Sequence, residues 1–75
     1  GEIPHGALQT EIAFRLRMLA EQLSIRVLTE IRIQISASRY RVADIAVWRA
    51  GEIGSRIPTV PPFLAIEILS PEDRM

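Results

Sequence analysis

Seventy-five residues make one small domain, and a chain of this length buries only about 60% of the surface that its unfolded state exposes. The sequence has no cysteine and balances nine arginines, with no lysine, against nine acidic residues; this excludes disulfide staples, thiolate metal sites and any global attraction to polyanions. A hydrophobic content of 48% excludes disorder, and no apolar run nears the ~20 residues that span a bilayer, so a soluble, cytoplasmic protein without a membrane partner is expected.

Residues 7–23 carry a helical stripe of Leu8, Ile12, Leu16, Leu19 and Leu23, flanked by Ala13 and Ala20. Glu11 with Arg15 and Arg17 with Glu21 are spaced as i,i+4 ion pairs on the outer side, and Pro4 and Gly6 punctuate the start. Over residues 25–35 the period changes to two. Val27, Thr29, Ile31, Ile33 and Ile35 then share one face of a strand, and Arg26, Glu30, Arg32 and Gln34 the other. Ser36, Ala37 and Ser38 suit a hairpin connection into a second strand over 40–48, where Asp44 shares a face with Val42, Ala46 and Trp48.

Residues 49–62 read as a loop holding Gly51, Gly54, Pro58, Pro61 and Pro62. A third strand, 63–69, is so continuously apolar that burial on both faces and a central place in the sheet are expected. Ser70, Pro71, Glu72 and Asp73 then resemble a helix N-cap and an acidic first turn. No internal repeat or low-complexity tract appears. The absence of an initiating methionine and the helix start without a body lead us to expect one truncated domain over residues 1–75.

Asp44 in YRVADIAVW and Glu67 in FLAIEILSP are the informative residues. A carboxylate among branched aliphatics costs several kcal/mol to bury unless it is paired, protonated or bound to a metal. An Asp and a Glu projecting from neighbouring strands to one sheet edge supply hard oxygen ligands for Mg²⁺ or Mn²⁺, and the backbone carbonyl of Ile68 is a candidate further ligand. The competing reading of Asp44 is an ion pair with Arg39, Arg41 or another arginine. For Glu67 it is a buried, protonated acid. Arg39 and Arg41 flank Tyr40 in a cluster that suits phosphate contact or a solvated strand entry. Gln34 and Glu30 border the same region, and Trp48 belongs to a core or an interface.

The ordered segments PHGALQTEI, EIRIQISASRYRVADIAVW and PPFLAIEILSPEDRM resemble the Uma-type restriction endonuclease family of the PD-(D/E)XK nuclease superfamily. The resemblance covers nearly the whole chain. It implies an α+β, restriction-endonuclease-like core: a helix, three strands of a mixed sheet and the start of a second helix. It implies that Asp44 and Glu67 are catalytic metal ligands, that His5 and Gln9 face the metal or the substrate phosphate, and that DNA is a partner. Capping and surface roles are the other reading of His5 and Gln9. Glu11 could enter the site as helix acids do in related nucleases, although Arg15 claims it for the surface.

The resemblance also implies an upstream acidic segment and a downstream helix and strand beyond the given sequence. Ala43 stands where a proline precedes the motif Asp, and Leu69 stands where the superfamily places its lysine. Alone, the chain is therefore expected to be an incomplete or inactive nuclease. The alternative is a non-catalytic nucleic-acid-binding or structural module. An uncovered sheet edge further predicts homo-oligomers formed through strand pairing or exchange.

Overall fold

The computed structural model describes residues 3–69, which form helix α1 (Ile3–Leu23) and strands β1 (Ile25–Ser36), β2 (Arg39–Arg49) and β3 (Leu64–Ile66). The α1 helix starts a turn earlier than its apolar stripe because Pro4 is tolerated in a first turn, where its missing N–H has no partner to lose. It stops at Ser24, whose φ of 53° is left-handed and whose N–H donates back to the Glu21 carbonyl. Ile12, Ala13 and Leu16 pack on Val27, Ile45 and Val47 of the sheet, and Ala20 is buried. Leu8, Leu19 and Leu23 of the expected stripe stay exposed, so the sheet covers only the middle of the apolar face.

The α+β class holds, but the described sheet is antiparallel throughout rather than mixed, with strand order β1-β2-β3. The third strand is therefore at the edge, not the centre, and pairs over three residues only. Its apolar residues gave it a central reading. The ladder instead places β2 in the middle, because β1 and β2 are joined by a two-residue turn at Ala37 and Ser38 and pair along their full length. The expected second helix falls on residues outside those described.

Both long strands change face midway. Val27, Ile45 and Val47 point to α1, whereas Leu28, Ala46 and Trp48 point away from it. Strict alternation would return Ile31, Ile33 and Ala43 to the helix side, yet they join Trp48 on the opposite side. The switch lies at Glu30 and Asp44, between the rungs Thr29–Ile45 and Ile31–Ala43, and Glu30 has a left-handed φ of 47°. The expected single face of Val27, Ile31 and Ile33 is thus split. So is that of Asp44 with Ala46 and Trp48.

The segment after β2 covers the face opposite α1. Trp48 Nε1 donates to the Val60 carbonyl at 2.8 Å, the Gln34 N–H donates to the Pro58 carbonyl at 2.9 Å, and Ile53 packs on the Trp48 cluster. Trp48, expected in a core or an interface, is core, with its indole N–H satisfied. The sheet is sandwiched by a helix on one side and a proline-rich loop on the other. Among the described residues, no helix is long and apolar enough to cross a membrane.

Candidate functional site

Asp44 sits at the point where both strands switch face and where the β2–β3 ladder ends. The last rung is Ile45–Ile66, so the same register carried one step further sets Asp44 opposite Glu67. Beyond that rung a side chain replaces the backbone ladder: the Ile68 N–H donates to Asp44 Oδ2 at 2.6 Å. The other oxygen, Oδ1, lies 3.4 Å from Nε2 of His5 on α1, with the two side chains 24% and 25% exposed. Asp44 thus joins the helix start, the central strand and the segment after β3. Its expected arginine partners are not the ones it meets.

Glu67 is exposed rather than buried, which overturns the reading of a protonated interior acid. Its two oxygens lie 3.2 and 3.5 Å from Arg41 Nη2. The pair is open to solvent, with Arg41 65% and Glu67 50% exposed. Such a contact is geometrically loose and worth at most about 1 kcal/mol. Both residues line a groove of about 390 Å³ together with Ile33, Gln34, Ala43 and Pro62. Asp44 and His5 do not line it, so the two acids have different surroundings although they neighbour each other in register.

The remaining candidates separate into those the fold gathers and those it does not. His5 is brought to Asp44, and Gln9 lies half-buried one turn further along α1. Gln34 lines the groove and donates from Nε2 to the Ser36 carbonyl at 3.0 Å, bracing the hairpin end. Arg39 is exposed at the start of β2, while Tyr40 lies under Arg32, whose Cζ is 5.7 Å from the ring centroid. Glu11 stays on the surface with Arg15, at 2.9 Å, as its spacing predicts. The expected Arg17–Glu21 pair is not formed among the described residues.

Sequence reasoning missed three direct couplings: His5 to Asp44, although the resemblance brings His5 to that site, Arg41 to Glu67, and the Ile68 N–H to Asp44. The partners are 39, 26 and 24 positions apart, and no local spacing rule reports contacts at that range. Carboxylates set opposite each other in register supply the right donor type for a hard divalent cation. In the structure their charge is met instead by an N–H, an imidazole and a guanidinium. No group of three or more His, Cys, Asp or Glu side chains converges as a ready metal cage among the described residues. Oxygen donors of this kind would suit a cation held by few protein ligands and several waters, the usual habit of Mg²⁺.

No curated protein and no solved structure matches this chain. A family model does, over residues 1–74, and that span includes every residue placed above: the helix with His5, the hairpin with Arg41 and Asp44, and the edge strand that leads to Glu67. The chain belongs to the Uma2 family, described as putative restriction endonuclease.

Proposed function

We propose that this chain forms the metal-binding part of an endonuclease-like domain acting on nucleic-acid phosphodiesters, with DNA as the partner and Asp44 and Glu67 holding Mg²⁺ or Mn²⁺. The carrying observation is the position of the two acids at the open end of the β2–β3 ladder. Asp44 lies just past the last rung, and register sets Glu67 opposite it. The family's description supports a nuclease-like role in general. The Ile68 carbonyl remains the candidate backbone ligand. A divalent cation held there would supply polarisation of a phosphoryl oxygen and activation of a water. The chain itself supplies the anionic ligands, a helix start that approaches Asp44 through His5, and a groove beside Glu67.

Thermal denaturation with MgCl₂ or MnCl₂ tests this reading. At a metal concentration about one hundred times Kd, binding to the folded state alone adds about 2.7 kcal/mol and raises Tm. Asp44→Asn and Glu67→Gln should each abolish the rise. A wild-type protein whose Tm ignores both metals sinks the proposal.

One observation favours a second reading, a non-catalytic binding or structural module: Arg41 is already paired with Glu67. Under that reading the pair is a fixed surface bridge and metal has no effect. The exposed edge supports self-association under either reading, because Phe63, Leu64 and Leu69 present apolar surface around the three-residue β3. Light scattering after size exclusion at low micromolar concentration should show a species larger than one chain. A clean monomer removes that part.

A further inference from the structure

We propose that Arg41 is the exchangeable counter-ion of Glu67 and the phosphate-binding residue of the same site. A divalent cation displaces its guanidinium from Glu67, and the freed side chain then holds the phosphate of a nucleic-acid strand in the adjoining groove. The inference rests on the metal-site reading above and assigns a role that the chain's missing lysine leaves open.

The contact has the character of an exchangeable pair. A single nitrogen, Nη2, serves both Glu67 oxygens at 3.2 and 3.5 Å, where a tight guanidinium–carboxylate fork uses two nitrogens at shorter range. Both side chains are at least half exposed, so breaking the pair strands no buried charge. A divalent cation, with twice the charge and a preference for carboxylate oxygen, outcompetes such a partner.

Location supplies the second half of the argument. Among the described residues, Arg41 is the one basic side chain lining the groove that Glu67 also lines. Two other arginines are engaged elsewhere, Arg15 with Glu11 and Arg32 over Tyr40. Gln34 and Thr59 add neutral polar groups to a wall otherwise made mainly of aliphatic and proline surface. One cation, a few hydrogen-bonding groups and apolar walls suit a phosphodiester with its attached sugar and base. An arginine holds its charge at every relevant pH and matches phosphate oxygens with a planar fork. It therefore binds and positions the phosphate and does not act as the base that activates water.

The full chain carries the test. Titration calorimetry with MnCl₂, without nucleic acid, compares wild type, Arg41→Gln and Arg41→Lys. Removing the competing cation should tighten Mn²⁺ binding about two- to fivefold in Arg41→Gln, the range set by the worth of an exposed ion pair, and Arg41→Lys should stay near wild type. Polarisation of a fluorescein-labelled single-stranded DNA oligonucleotide in CaCl₂ should show the opposite direction, about a tenfold weaker complex for Arg41→Gln. A merely structural Arg41 would not move the two affinities in opposite senses.

Equal Mn²⁺ affinities in wild type and Arg41→Gln overturn the exchange while leaving the metal site standing. Tighter Mn²⁺ binding with unchanged oligonucleotide affinity overturns the phosphate role. No Mn²⁺ uptake by any of the three proteins removes the metal-site reading and this inference with it.

Discussion

The two halves of β2 behave as parts of different proteins. Ile45, Ala46, Val47 and Trp48 are 0–1% exposed, whereas Arg39, Tyr40, Arg41 and Val42 are open to water, with Val42 57% exposed. Both halves pair with β1 along their length, so pairing on that side is not the difference. The buried half also has β3 on its other edge, α1 on one face and the loop of residues 50–62 against the Trp48 side. The open half has none of these in full. Asp44 is the boundary residue, and each functional candidate except Gln9 is at or beyond that boundary or reaches it from α1. Burial is concentrated in one half of the strand, and the polar candidates fall on the other.

The largest expected effect is a core truncation in the buried half. Trp48→Ala should cost about 3–5 kcal/mol in urea denaturation, since it empties the core and orphans the Val60 carbonyl. In a domain this small that approaches the whole stability. Val42→Ala, in the open half, should change it by less than about 0.5 kcal/mol. Comparable losses from the two would erase the division.

Next in size is the boundary itself. Asp44→Ala removes the acceptor of the Ile68 N–H and should cost about 1–2 kcal/mol. Amide hydrogen exchange offers a sharper reading: the Ile68 amide should exchange faster while the Val47 amide keeps its protection. A uniform change across β2 would mean that Asp44 acts on global stability rather than on the strand end.

Glu30 tests the face switch with a smaller effect. Its left-handed φ of 47° costs a residue that carries a Cβ about 1 kcal/mol, and glycine avoids that cost at some expense in unfolded-state entropy. Glu30→Gly should leave stability equal or raised by up to about 1 kcal/mol, whereas Thr29→Gly, in regular strand, should lower it. A clear loss at Glu30 would show that its side chain, not its backbone, serves the switch. The smallest effect belongs to the helix surface. Glu11→Gln should cost about 0.3–0.5 kcal/mol and less at high salt, as expected of an exposed i,i+4 pair.

The sequence by itself determined the elements and their order. The 3.6 and 2.0 periods of residues 7–23 and 25–35, the hairpin residues after Ile35 and the prolines of the long loop are local signals, and local geometry follows from them. It also singled out Asp44 and Glu67, because charge within apolar runs is visible without knowing any neighbour. It misassigned the third strand: a continuous apolar run signals burial but does not say which strand lies between the others. It missed the inversion at Glu30 and Asp44 as well, since an alternating pattern hides a change of face when both faces carry aliphatic residues. Which charge meets which was decided only by tertiary structure. Arg41 reaches Glu67, and His5 reaches Asp44, through strand order, register and the seat of α1 on the sheet. Those depend on the sum of many weak packing contacts rather than on the spacing of residues along the chain.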